Sequence, residues 1–368
     1  MERYDILIVG GGIAGASLGA RLAPGLRVLL VEAEDVCGRH STGRSVAFWQ
    51  ASLGGDNPAR RLSLLSKPMF DSHWPGATTS LLRRRGALHL TRHDGELVDG
   101  ADDLSGDDAV VLIDRGALEL MVPGLRDQWT GAWFEPSCAD IEVAAFHSAC
   151  LVAIRRGGGE VRTDSALVGA RRSGEGWIAT TSAGDIEAKL LVNAAGGWAD
   201  LVAERCGLPP IQLEPRRRTV VQLRVGRTGL RDLPLVTDLH ASFYFKGEGD
   251  NSIWVSPLDE TLVKPCDVAP EEIDVAMAID RFEQAVDWPV EAVERKWAGL
   301  RSFAPTRALQ FGFDPLEPKF FWCAGLGGMG IQTAPAASLL CATLIRGEAL
   351  PAELAGIDPA DFAPRQPA

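Results

Sequence analysis

Gly10-Gly11-Gly12-Ile13-Ala14-Gly15 puts glycines at 10, 12 and 15, the G-x-G-x-x-G spacing. Such a run can hold a pyrophosphate. Gly10 allows a tight turn, Gly12 lets a phosphate approach the backbone, and Gly15 lets a helix pack closely on a strand. Glu32, twenty residues beyond Gly12, stands where a carboxylate can accept hydrogen bonds from a ribose. Together these residues predict a dinucleotide site.

The elements needed to position them are legible on either side. Asp5–Val9 is a short apolar run, as in a buried parallel strand. Ile13–Leu22 is small and apolar enough for a helix against the sheet, whose N-terminus would offer free N–H groups to phosphate. Pro24-Gly25 stops it, and Arg27–Val31 leads to Glu32 as a second strand. The loop His40-Ser41-Thr42-Gly43-Arg44-Ser45 follows, rich in donors suited to a phosphate or a flavin edge. A nicotinamide domain would more often continue its βαβ repeat here, so the loop favours FAD over NAD. A helical reading resumes near Val46–Ser52.

Strand, small residues and glycine recur at 188–200, around Asn193-Ala194-Ala195-Gly196-Gly197-Trp198, and at 320–345, around Gly325-Leu326-Gly327-Gly328-Met329-Gly330. Between them, Thr219–Val225, Ala241–Lys246 and Ser252–Val255 alternate as antiparallel strands do. The fold class expected is α/β: a Rossmann-like domain assembled from discontinuous segments, plus an antiparallel β-rich substrate domain (α+β). Segments 1–78, 139–209 and 302–368 are assigned to the first, and 79–138 and 210–301 to the second.

The formal charge, 37 − 49 = −12, works against non-specific binding to nucleic acid or anionic membranes. Seven cysteines without a C-x-x-C suit free thiols in a reducing compartment. No apolar run is long enough for a transmembrane helix and the N-terminus does not read as a signal peptide, so a cytoplasmic protein is expected. His89 and His93 have i, i+4 spacing but no third ligand, and no metal site is expected. Cys323 is read as packing rather than a covalent flavin link.

These segments carry a resemblance. The G-G-G-I-A-G-A-S run, His40–Ser45, Val192–Trp198, Pro215–Thr219, Ser242-Phe243-Tyr244, Trp297–Phe303 and Gly327–Thr333 resemble the FAD-dependent D-amino-acid oxidase/dehydrogenase superfamily. Within it, the chain resembles bacterial D-arginine dehydrogenase and glycine oxidase. The resemblance implies bound FAD. Gly10, Gly12, Ile13, Ala14 and Gly15 would line the pyrophosphate, and Glu32 and Ala33 the adenosine ribose. His40, Ser41, Thr42, Gly43, Arg44, Ser45 and Ala47 would border the flavin end. Ala195, Gly196, Trp198 and the main chain of Val161 would approach the cofactor. Gly327, Gly328, Gly330, Ile331, Gln332 and Thr333 would crown the isoalloxazine.

It also implies a carboxylate clamp made of Arg218 (Arg217 remaining an alternative), Tyr244 and Arg301. Arginine forks match a carboxylate bidentately and a phenol adds a donor. The substrate pocket would include Phe48, Leu53, Gly328 and Gln332. Phe48 and Leu53 stand where D-arginine dehydrogenase has a histidine and a tyrosine, and Ala87 where it has a glutamate for the guanidinium. A desolvated cation without its carboxylate is disfavoured, so a D-amino acid or a glycine-type amine, with a free carboxylate and an apolar substituent, is expected, not arginine. The reaction implied is oxidation of a C–N bond by hydride transfer to flavin N5, followed by imine hydrolysis, with O₂ or a quinone as electron acceptor. N-alkyl glycine oxidation releasing a primary amine and 2-hydroxy acid dehydrogenation are the alternatives.

Overall fold

The chain is described by a computed structural model covering residues 1–364 apart from 56, 73, 93–97 and 99–103. His93 and much of the acidic stretch 94–108 lie outside the described residues.

The apolar run at the N-terminus becomes the strand Glu2–Val9, the centre of an eight-stranded sheet. It pairs in parallel with Gly184–Asn193 on one side and Val28–Val31 on the other. Glu160–Arg162 continues the sheet beyond Val28–Val31, and Phe320–Ala324 joins the end of Gly184–Asn193. Helices Ile13–Leu22, Pro58–Asp71, Val143–Arg156 and Gly330–Arg346 pack into one apolar core with this sheet. A second core, with Trp177 and Trp322, covers the other face. Coverage on both faces explains why Val28–Val31 and Phe320–Ala324 are buried throughout rather than alternating.

The register carries the functional consequence. Val9 lies beside Asn193, and Asn193 beside Trp322. The three glycine loops, at Gly10, Ala194–Gly197 and Gly325–Gly330, therefore emerge side by side from the carboxyl ends of adjacent parallel strands. Ligands bind at such ends in open α/β sheets.

A nine-stranded sheet lies around a separate core with the helix Glu272–Ala285. Glu214–Val225 is its pivot, flanked by Val290–Phe303 on one side and by Ser252–Ser256 and Thr261–Leu262 on the other. The expected antiparallel character holds except where Leu235–Asp238 runs parallel to Ala87–Thr91. Val46–Ser52 is not helical. Phe48–Trp49 is a short strand against Ala139–Ile141, in keeping with the β preference of Val, Phe and Trp, and the next helix begins only where Asn57 caps Pro58–Asp71. Among the described residues no helix is long and apolar enough to cross a membrane.

Candidate active site

Gly10 adopts φ +112°, and a Cβ there would lie 2.4 Å from Ala194 O. A Cβ on Gly15 would lie 2.0 Å from Gly10 O. The first and third glycines are thus fixed by main-chain contact. Gly10 N donates to Val31 O, and Ile13 N to Thr42 Oγ1 at 2.9 Å. Gly12 N and Ala14 N donate to no protein group among the described residues. These free donors at a helix N-terminus fit a pyrophosphate. Glu32 accepts from Gly11 N at 2.7 Å and Glu34 N at 3.0 Å, which orients the carboxylate beside the loop.

One continuous cavity takes in this loop, the second loop and the pivot strands. Its wall includes Gly10, Gly12, Ile13, Ala14, Glu32, Ala33, His40, Ser41, Thr42, Arg44, Ser45, Ala195, Gly196 and Trp198. Gly327, Gly328, Gly330, Ile331, Arg218, Tyr244 and Arg301 border it as well. Residues separated by up to some three hundred positions in the chain thus share one space.

Other expected residues are not on the wall. Gly15 is spent on helix–strand packing. Gly43 closes its own loop through Gly43 N to Gly38 O. Ala47 O accepts from Ile141 N at the small sheet. Val161 pairs with Leu30 inside the sheet and packs on the core; Ser165, Ala166 and Leu167, just beyond that strand, line the cavity instead. Gln332 and Thr333 turn to the buried side of their helix. Gln332 Oε1 accepts from Gln50 N, and Thr333 Oγ1 donates to Met329 O. Leu53 is 37% exposed on a turn. Phe48 stands one layer back, edge-on to Tyr244 with ring centroids 5.7 Å apart. Val220, Val46, Leu201, Val202 and Arg205 line the cavity without having been expected. Val220 was within reach of sequence reasoning, because it is two residues from Arg218 and shares its face.

Register decides between the two neighbouring arginines. Arg217 forms ion pairs with Glu271 and, at 2.8 Å, with Asp274. Arg218, 6% exposed, borders the cavity. Its Nε donates to Asp259 O at 2.9 Å and its Nη2 to Glu260 at 3.2 Å, while its buried Nη1 has no protein partner. Arg301 has no hydrogen-bond or ion-pair partner among the described residues. Burial pulls the Arg301 guanidinium below its ordinary value, opposed by Tyr244 and by the carboxylates of Glu260 and Asp259. Burial, with Arg301 alongside, pulls Arg218 down too. Guanidinium resists deprotonation, so an anion entering the cavity would relieve this tension. Burial also raises the Tyr244 phenol, which keeps it protonated and able to donate. His89, one of the two histidines weighed as metal ligands, bonds instead with Gln50 and Glu135.

The second loop and the strand carrying Arg301 are stitched together. Ser41 Oγ donates to Leu300 O at 2.7 Å, Arg44 Nη1 to Ala298 O at 3.1 Å, and Trp297 Nε1 to Arg44 O at 3.0 Å. The wall of the dinucleotide end and the cationic end are therefore one mechanical unit.

Comparisons with known proteins show the family and the fold. The family described as "FAD dependent oxidoreductase" (DAO) matches over residues 5–344. The chain is 27% identical over 181 residues, 44% of its length, to FAD-dependent oxidoreductase domain-containing protein 1 of Xenopus laevis, spanning 35% of that protein. It is 24% identical to glycine oxidase of Geobacillus kaustophilus over 94% of this chain and 93% of that one. The crystal structure of that organism's glycine oxidase superposes with a TM-score of 0.82 at 21% identity, covering 100% of both chains. An iminodiacetate oxidase from Chelativorans superposes at 0.81 and 20% identity, covering 98% of each.

Proposed function

Because the chain belongs to the DAO family of FAD-dependent oxidoreductases, we propose that it oxidises the C–N bond of an amino acid that keeps its carboxylate free and carries an apolar substituent. The observation that carries this reading is Arg301: a cavity-facing guanidinium with no hydrogen-bond or ion-pair partner among the described residues, beside Tyr244 and the free Nη1 of Arg218. One carboxylate satisfies all three. The glycine oxidase and iminodiacetate oxidase relatives, both named for carboxylate-bearing amines, support it.

The residues fit FAD. Gly12 N and Ala14 N are free for its pyrophosphate, Glu32 faces the adenosine end, and the N-terminus of Gly330–Arg346 opens on the same cavity. When bound, FAD supplies the two-electron acceptor. The protein's own part is positioning. Arg301 and Arg218 seat the carboxylate, Tyr244 adds one donor, and the Cα–H is turned toward the glycine-crowned end. Val46, Val220 and Leu326 on the wall, with Phe48 behind them, surround the remainder of the substrate with apolar surface. No cavity-lining carboxylate among the described residues stands near the clamp to serve a cationic side chain, and no side-chain base is required if the amine reacts neutral. The amino acid loses two electrons and two protons to become an imino acid, which water hydrolyses to an oxo acid with release of ammonia or the N-substituent's primary amine.

Anaerobic bleaching of the flavin absorbance, screened with D-amino acids, N-alkyl glycines and 2-hydroxy acids, tests the reading. Bleaching by an apolar amine-bearing acid is expected; bleaching by 2-hydroxy acids alone would reject it. Product analysis separates a primary from a secondary amine.

Gly328 supplies a finer test. A Cβ there would lie 2.7 Å from Arg301 Nη1. Gly328→Ala should push the guanidinium out of its seat and raise KM roughly 10-fold or more, the loss of about one charge-assisted hydrogen bond, with flavin retained. An unchanged KM would separate Arg301 from substrate binding.

A further inference from the structure

His147 lies on Val143–Arg156, the helix packed beside Ile13–Leu22. It is 7% exposed, and its Nε2 is 2.8 Å from Gly11 O. A carbonyl can only accept, so this nitrogen carries the proton. On the other side of the same residue, Gly11 N donates to Glu32 Oε2 at 2.7 Å. Gly11 is thus gripped at both its N–H and its C=O, by side chains from two different elements. The imidazole also meets the second loop: a Cβ on Gly38, which has φ +81°, would lie 2.9 Å from His147 Cε1. Gly38 and Gly12 both line the cavity, whereas His147 stands behind them. It sits where the two loops converge. Burial lowers the imidazole's pKa, opposed by the Gly11 carbonyl and by the charge of Glu32.

We propose that His147 is a positioning residue for the cofactor: as the neutral Nε2–H tautomer it locks the Gly11 peptide, so that the N–H groups of Gly12 and Ala14 stand free for the FAD pyrophosphate before FAD arrives. A loop ordered in advance removes its ordering cost from the binding step. The role is independent of the substrate.

The test is FAD binding to the apoprotein, followed by quenching of flavin fluorescence, for the native chain, His147→Gln and His147→Phe. A glutamine amide can reach Gly11 O and donate; phenylalanine keeps the ring against Gly38 and cannot. His147→Phe is expected to weaken FAD binding about 10-fold or more and His147→Gln to stay within about threefold of native, as for loss and retention of one buried hydrogen bond that also sets the loop. Equal affinity of the phenylalanine variant and the native chain would overturn the proposal. So would a glutamine variant as weak as the phenylalanine one, since ring packing would then be what matters. If the phenylalanine variant does not fold by circular dichroism, imidazole nitrogen shifts of the native protein decide: a neutral Nε2–H tautomer is expected, and an Nδ1–H tautomer overturns the assignment. The native titration tests the cofactor, and the ratio between variants tests His147.

Discussion

Arg301→Met should lower kcat/KM for the amine substrate by about 30-fold or more while the protein keeps its bound flavin. Losing one partner of a desolvated charge pair costs about 2–5 kcal/mol, and each 1.4 kcal/mol is about tenfold. Arg301 has no hydrogen-bond or ion-pair partner among the described residues, so the variant breaks no direct ion pair and stability should change little. A seat used equally in ground state and transition state shows in KM; a seat that also aims the Cα–H shows in kcat. Steady-state kinetics on the flavin-loaded variant read both. A ratio within threefold of native would reject the clamp. Arg301→Lys should fall between, because an ammonium keeps the charge but not the fork.

Gly15→Ala should cost more than activity. The added methyl would lie 2.0 Å from Gly10 O, main chain against main chain, so the helix must move off the strand. Overpacking of this kind costs about 1–3 kcal/mol or more, and the displacement also moves Gly12 N and Ala14 N out of line with one another. Loss of flavin on purification and a lowered Tm are expected together. Gly19→Ala on the same helix is the contrast, since its Cβ would meet the side-chain tip of Ile154 at 2.8 Å. A rotamer change can absorb that, and flavin should be retained. If Gly15→Ala holds flavin as tightly as the native chain, the glycine is not required for this packing.

How far the sequence could be read follows from the range of the interactions involved. The helix Ile13–Leu22 was legible to the residue because its stop at Pro24-Gly25 and its glycine start are local. Val290–Phe303 was not. Its first half is charged and exposed, so no alternating pattern marks it, although Arg301 sits near its end. Val46–Ser52 read as helix because its pairing partner, Ala139–Ile141, lies some ninety residues away. Val161 came from the resemblance alone, and its pairing with Leu30 shows that its main chain is taken up by the sheet.

By itself, then, the sequence determined what is written in contiguous residues: a strand–glycine loop–helix unit, an acid at its end, a donor-rich second loop and a third glycine crown. The tertiary structure alone decided which side chains share a space. Arg217 and Arg218 are chemically identical, and pairing with Val290–Phe303 turns one to Glu271 and Asp274 and the other to the cavity. Gln332 and Ile331 are adjacent and both buried, yet helical geometry brings only Ile331 to the cavity. Side-chain direction depends on register and helical phase, and these are set by contacts with distant parts of the chain.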